Sequence, residues 1–522
     1  MSVPREYFLG DLLSRSARKF PNKTAVVFRD KRLTYKEVND RANAVADSLP
    51  RLGIRKGDRV AFLSGNTVEY IEMYFGPAKA GAIFTPINTN MVVRELEYVL
   101  NYVQPKLLIL QPRFLDTIQS IKGRLSIKTY VVMGIEVPGM ENYEQLIREG
   151  SKEEPGVELD GEDIALIIFT GGTTGMPRGA MHAHRGLIYN AHAMAIDFSQ
   201  TYDDVEIHMT PMYHTAMASQ TYSSTLMGNK HVILDGFEPT QVLEAIVKEK
   251  VTIGFMVPTI INALLQVPDL QKYDLSSLRT ILYGGAPMPM KLLEKALKTI
   301  GCGFTQLFGQ TEGGPLIATL PPEDHVVEGS PEKVKRSSAS GRAIVNYEIR
   351  VVDGQDRDVP VGEVGEVIGR SVSMTRGYWD RPEETAEVLK NGWLHTGDLA
   401  RMDEDGYIYV VERKKDMIIS GGKNIYSPEI EEVLYRHPAI LEATVFGVPD
   451  DYWGEAVKAC VVLKQGNELT EEEVIQFCKE HLASYKKPKS VDILKELPKS
   501  PQGKILKRVL REKYWAHLEK KI

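Results

Sequence analysis

Over residues 25–112 the apolar positions switch between two spacings. The runs "AVVF" (25–28), "RVAFL" (59–63), "AIFTPI" (82–87) and "LLIL" (107–110) are short and nearly continuous, as in strands buried on both faces. Between them, residues 33–49 and 67–81 carry apolar residues at helical spacing; in the first, Val38, Ala42, Val45, Ala46 and Leu49 share one face. Thr34 and Glu37 stand where a capping box starts a helix, the hydroxyl reaching forward and the carboxylate back. Strands alternating with helices predict parallel pairing, with helices covering the sheet.

The alternation returns farther along. Strands are predicted at 231–234, 252–257 and 280–285, and helices at 239–250, 258–267 and 288–301. Near Gly341 the texture changes. The runs 346–353, 362–370 and 406–413 are short strands with Gly- and Asp-rich turns, as in a small β subdomain. Residues 412–424, "ERKKDMIISGGKN", read as a hinge. A compact unit follows, with helices at 427–437 and 470–482 and strands at 442–448 and 457–464. The boundary is placed at 413–416. Phe8, Leu12, Leu13 and Phe20 fit one face of a first helix packed on the body. That start has neither the continuous apolar core nor the cleavage site of a secretory signal, and no run is long enough to span a bilayer.

Composition narrows the picture little. A net charge of −6 argues against bulk binding to nucleic acid, which needs a strongly basic surface. Cys302, Cys460 and Cys478 form no CxxC pair, which points to a reducing compartment.

Chemistry concentrates in a few segments. Residues 165–184, "ALIIFTGGTTGMPRGAMHAH", place four glycines and three threonines before and around Arg178. A strand, a glycine turn and then a helix is the expected arrangement, with backbone N–H groups turned toward a phosphate. It is not a Walker A loop: from Gly171 or Gly172 the second-glycine position falls on Met176 or Pro177. The dinucleotide fingerprint and the nucleophile elbow also fail. A second glycine loop, "LFGQTEGG" (307–314), carries Glu312; residues 395–416 hold Asp398 and Arg413; "SPQGKILK" (500–507) holds Lys504. Alone, each has a plain explanation: a surface acid, a turn residue, a helix cap. His182 and His184 flank the first loop without a third ligand and read as non-metal residues.

Together, in this order, the segments resemble the acyl-adenylate-forming superfamily of acyl-CoA synthetases, coumarate ligases and luciferases, from about residue 12 to 507. The family's loop has the form Thr-Ser-Gly-Thr-Thr-Gly-x-Pro-Lys-Gly; residues 170–179 read TGGTTGMPRG, with Gly171 for serine and Arg178 for lysine. The first change removes a hydroxyl, and the second keeps the charge but alters its shape.

The resemblance implies an α/β fold: a large N-terminal domain (1–413) of mixed, largely parallel sheets flanked by helices, with a small β subdomain, and a smaller mobile α+β C-terminal domain (414–522). It implies ATP, Mg2+ and coenzyme A, and two steps: a carboxylate attacks the α-phosphorus of ATP, then a thiol attacks the acyl-adenylate and expels AMP. Thr170, Gly171, Gly172, Thr173, Thr174, Gly175 and Arg178 would hold the β- and γ-phosphates, Thr173 also lying at the metal. Thr311 would touch the α-phosphate and Glu312 would bind Mg2+. Asp398 and Arg413 would serve the ribose, while Phe308 (usually tyrosine), Gly309, Gly285, Ala286 and Pro287 would close the adenine pocket and line the acyl site. Lys504 would bridge carboxylate and phosphate. Lys415 would be the hinge, Gly421 and Gly422 would approach the pantetheine channel, and His214 would gate or orient at the acyl and thiol mouth.

The stretch after His214, "HTAMASQTY", lacks the acid that amino-acid-activating relatives use, so an acid without an α-amino group is expected. Small Gly285, Gly309, Gly313 and Gly314, with Met212, Met217, Tyr222 and Met227 as soft walls or as core, suggest a medium- or long-chain fatty acid. An aromatic acid, transfer to a carrier protein and a catalytically silent nucleotide-binding scaffold are the alternatives. The expected setting is cytoplasmic, with peripheral membrane contact and a homodimer both left open.

Overall fold

A computed structural model describes residues 6–170, 176–286, 288–500, 503 and 505–515. Gly171, Gly172, Thr173, Thr174, Gly175, Pro287 and Lys504, all named above, lie outside the described residues.

The described strands form four sheets. The first runs in the order Glu141–Asn142, Thr129–Val132, Leu107–Leu110, Arg59–Leu63, Ile83–Pro86, Ile164–Thr170, Arg178–Ala183. It is parallel except for its last pair. The second runs Arg342–Ala343, Ala318–Leu320, Gly303–Phe308, Thr280–Gly284, Ile253–Met256, Val205–His208, Lys230–Ile233, Thr24–Phe28, Lys31–Thr34. It is parallel in the middle and antiparallel at both ends.

The continuous apolar runs follow from helices on both faces. Val60 and Phe62 enter one buried cluster with Val38, Val45, Tyr70 and Tyr74 of the covering helices. Their neighbours Ala61 and Leu63 point the other way, into a cluster with Val99 and Leu100. The capping box forms as expected: Glu37 N–H donates to Thr34 Oγ1 at 3.2 Å, and Thr34 N–H donates to Glu37 Oε2 at 2.7 Å. Such a cap stabilises the helix Tyr35–Arg51 by about 1 kcal/mol.

The third sheet is wholly antiparallel and contains Trp393–Met402 paired with Ile408–Arg413. The fourth draws only on residues 418–494 and buries Ile418, Ile430, Val445, Val461 and Val474 in a core of its own. Where the third sheet gives way to the fourth, the tethers change hands. Lys414 donates through its backbone to Gly397 O at 2.8 Å, and its ammonium holds Glu366 at 3.0 Å. The next residue, Lys415, accepts through its carbonyl from Arg511 at 3.4 Å, and Arg511 also holds Asp416 at 3.1 Å.

One expectation is corrected. The glycine loop does not run from a strand into a helix. Thr170 and Arg178 are antiparallel partners, the strand Arg178–Ala183 follows, and the helix starts only at His184. Gly179 allows this pairing to stay close, because a Cβ there would fall 2.8 Å from Ile167 Cγ2. The helix that follows therefore begins six residues beyond Arg178, after the strand Arg178–Ala183. No helix among the described residues is long and apolar enough to cross a membrane.

Candidate active site

In the second sheet, four parallel strands end on the same side: Val205–His208, Ile253–Met256, Thr280–Gly284 and Gly303–Phe308. Their carboxyl ends lead to His214, Val257–Thr259, Gly285–Ala286 and Gly309–Glu312. In open α/β sheets this edge is where ligands bind.

Thr170 and Arg178 of the first sheet meet the same edge. Glu312 is buried in a 3-10 turn, Thr311–Gly313. The Tyr378 hydroxyl donates to Glu312 Oε1 at 2.6 Å, and Thr170 Oγ1 approaches the same oxygen at 3.4 Å. Burial, and then the Glu312 carboxylate, push the Tyr378 hydroxyl far above its ordinary range, so it remains a donor. The Arg178 guanidinium lies 4.3 Å from the centre of the Tyr378 ring and 3.2 Å from Glu384. Its Nε is buried without a partner. An unmet donor beside a buried carboxylate suits a phosphate and a hard dication respectively.

Asp398 and Arg413 are cross-strand partners, with Arg413 Nε 3.1 Å from Asp398 Oδ1. Asp398 is buried, and its N–H donates to Thr396 Oγ1 at 3.1 Å. Phe308 is half-buried at the end of its strand, packed toward both the second and third sheets.

His214 precedes the helix Thr215–Leu226, its ring 4.5 Å from that of Tyr213. Its edge remains partly exposed, yet the surrounding protein lowers the imidazole pKa to about 4. The ring is therefore neutral at pH 7. Burial also lowers the Lys415 ammonium pKa, with Asp416 opposing the shift.

The glycines divide by role. A Cβ on Gly309 would lie 1.9 Å from Pro315 O, on Gly313 2.7 Å from Ile317 Cδ1, and on Gly314 2.2 Å from Ser373 O. These three accommodate the protein's own chain and leave no room for a substrate tail, against the expectation above. Gly285 alone of the four faces open space, with Val257 at 3.8 Å. Met212 and Tyr222 sit in one core cluster and Met217 in another, as core and not as exposed walls. Met227 is half-buried at the end of its helix. Gly421 (φ +56°) and Gly422 (φ +73°) form a two-residue hairpin turn in which both positions need a left-handed backbone. Gly421 donates to Trp453 O at 2.8 Å, and a Cβ there would strike the Trp453 ring at 2.5 Å.

The terminal domain touches this edge through Gly503. Its carbonyl accepts from Thr259 Oγ1 at 3.2 Å, and its φ of +81° suits glycine. A Cβ would fall 2.5 Å from Thr259 Oγ1. Gly503→Ala combines this collision with a backbone cost of about 1–2 kcal/mol. It is expected to slow release of pyrophosphate from ATP by about 10-fold or more, with Tm little changed because the turn is peripheral to the core. A Tm drop matching the activity loss would mean a folding defect instead.

Sequence reading missed Tyr378, Glu384 and Thr259. Tyr378 and Glu384 lie in "TRGYWDRPEETA" (375–386), whose aromatic and acidic clustering after a glycine was the available signal. Thr259 carried none.

Comparison with known proteins shows the family. The family model of the AMP-binding enzyme matches residues 13–379, and that of the AMP-binding enzyme C-terminal domain matches 429–504. The chain is 37% identical over 512 residues to a feruloyl-CoA synthase of Amycolatopsis sp, covering 98% of this chain and 100% of that one. It is 36% identical over 519 residues to the long-chain-fatty-acid–CoA ligase FadD13 of Mycobacterium tuberculosis, covering 98% and 99%. The crystal structure of the anthranilate CoA ligase AuaEII in complex with anthranoyl-AMP superposes with a TM-score of 0.90 at 30% identity, covering 98% of each chain. The chain belongs to the AMP-binding enzyme family, in the acyl-adenylate-forming superfamily, whose AMP-forming acid–thiol ligases use ATP, Mg2+ and coenzyme A.

Proposed function

We propose that this protein activates a carboxylic acid lacking an α-amino group, first as its acyl-adenylate and then as its CoA thioester. The observation that carries the reading is the meeting of Thr170, Arg178, Tyr378 and Glu312 at the carboxyl edge of the second sheet, with Gly503 of the terminal domain resting on the same edge. Arg178, Thr170 and the residues 171–175 hold the β- and γ-phosphates, and Thr311 the α-phosphate. Glu312 holds Mg2+, with Thr173 alongside; bound there, the ion neutralises phosphate charge. Asp398 accepts hydrogen bonds from the ribose hydroxyls, and Arg413 keeps that carboxylate oriented. Phe308, Gly309, Gly285, Ala286 and Pro287 enclose adenine and the start of the acyl group. Lys504 lies between the two anionic reactants.

After pyrophosphate leaves, the terminal domain turns about Lys415, supported by the change of tethers between Lys414 and Lys415. Lys504 withdraws, and Gly421 and Gly422 come to the thiol channel, with neutral His214 at its mouth. The boundary is kept at 1–413 and 414–522.

For the acid, a medium- or long-chain fatty acid is the first reading, supported by the open position at Gly285 beside Val257. An aromatic acid is the second reading, supported by the 37% identity to a feruloyl-CoA synthase.

A panel of hydroxycinnamic, benzoic and saturated C6–C18 acids (~C6 to C18, spanning the size of pockets that bury most of a ligand) tests both. The expected result is pyrophosphate release that requires Mg-ATP and an acid, with AMP and thioester appearing only when CoA is added. Absence of AMP with every acid in the panel favours the silent scaffold. Thioester formed only on a carrier protein replaces CoA as the acceptor.

A further inference from the structure

Away from that edge, the second sheet buries three residues that a core strand does not call for. Val205–His208 and Lys230–Ile233 are parallel neighbours, with Glu206 opposite His231. Glu206 and His208 are two residues apart and so share a face. All three are fully buried, at 0%, 0% and 1% exposure. One ligand-capable atom from each lies within 4.8 Å of the others.

Two outer atoms of the group are held, and the third, His208 Nδ1, is buried without a partner. Ser224 Oγ hydrogen-bonds Glu206 Oε2, and Thr225 Oγ1 lies 3.2 Å from His231 Nε2, both from the helix Thr215–Leu226. The inner atoms are less well served. His208 Nε2 and His231 Nδ1 face each other at 3.0 Å, while Glu206 Oε1 has no partner at all. A direct bond between the two rings explains two nitrogens. It leaves a fully buried carboxylate oxygen unexplained, where an apolar side chain would be the ordinary choice.

We propose that Glu206 Oε1, His208 Nε2 and His231 Nδ1 bind a divalent transition-metal ion of the zinc class, a site separate from the Mg2+ at Glu312. Two imidazoles and one carboxylate are a donor set such ions accept. Two rings on one tetrahedral ion have their nitrogens about 3.3 Å apart and their centres about 5 Å apart. The observed 3.0 Å and 5.2 Å need a shift of only a few tenths of an ångström. Ser224 and Thr225 then orient the carboxylate and one imidazole from behind, as groups flanking metal ligands do. Water fills the remaining position. The ion is structural: it ties the strand Val205–His208, which runs on to His214, to its neighbour Lys230–Ile233.

The test is metal content and not ligase activity, so it is independent of the function proposed above. The full chain is produced in minimal medium with Zn(II), or separately Co(II), as the added transition metal, then washed with chelator while folded. About one ion per chain is expected to remain, and the cobalt form should show visible bands of a four-coordinate site. His208→Phe and His231→Leu should each reduce retention to below about 0.1 ion per chain. Because either variant could misfold, X-ray absorption at the zinc edge of the unmodified chain gives a second reading: two imidazoles and no sulfur. A folded, unmodified chain that retains less than about 0.1 ion, retention by folded variants, or sulfur in the zinc shell overturns the proposal.

Discussion

Lys504→Ala is expected to stop the first half-reaction and largely spare the second. A carboxylate and a triphosphate repel, and a cation between them is worth most where water is scarce. Two unit charges 4 Å apart interact by about 1 kcal/mol in bulk water and about 4 kcal/mol at the effective dielectric of a protein surface. Losing one such stabilising group lowers the rate by about 10²–10³-fold in well-studied sites. The placement rests on the neighbouring residue: Gly503 hydrogen-bonds Thr259, beside Val257 and Gly285. Pyrophosphate release should therefore fall by about 10²–10³-fold. Thioester formation from supplied acyl-adenylate should stay close to that of the unmodified protein, since in the proposed mechanism the terminal domain has turned by then. Lys504→Arg keeps the charge in a different shape and should recover part of the loss. Equal losses in both half-reactions would contradict the division of labour between the two domain positions.

Glu312→Gln is the second large effect. The amide keeps the volume and can still accept from Tyr378, so the turn Thr311–Gly313 should hold and Tm should change little. What disappears is the negative charge. The rate of pyrophosphate release should fall by about 10²-fold, and the Mg2+ concentration giving half-maximal rate should rise. Tyr378→Phe separates the parts. It leaves Glu312 with Thr170 alone on Oε1 and keeps the aromatic face under Arg178, so a loss nearer 10-fold is expected, again with weaker dependence on low Mg2+. Unchanged Mg2+ dependence in both variants would place the ion elsewhere.

Much of the scaffold was legible in the chain. The capping box at Thr34 and Glu37 formed because both partners lie within one turn, so local spacing contains the whole interaction. The parallel strands were legible because burial on two faces demands unbroken apolar runs. The loop 169–179 was recognisable as chemistry, but its local structure was not. Whether Arg178 opens a helix or a strand depends on Ile164–Thr170 being free to accept an antiparallel neighbour at the sheet edge.

The residues that complete the site escaped for a related reason. Tyr378 lies 66 positions from Glu312, and no periodicity links them. The glycines show the same limit: sequence marks Gly285, Gly309, Gly313 and Gly314 alike as small, whereas packing fills the space at three of them and leaves it open at one. The buried group at Glu206, His208 and His231 reads as scattered polar letters until two strands pair in register.

By itself, then, the order of residues determined the capped helices and the doubly buried strands, the family and the ordering of its chemical segments, since these depend on neighbours a few positions away or on whole motifs. Only tertiary structure decided which side chains meet, which small residues leave room and which carboxylates lose their water. Those outcomes depend on distances across the fold, and burial is a property of the packed assembly rather than of any segment.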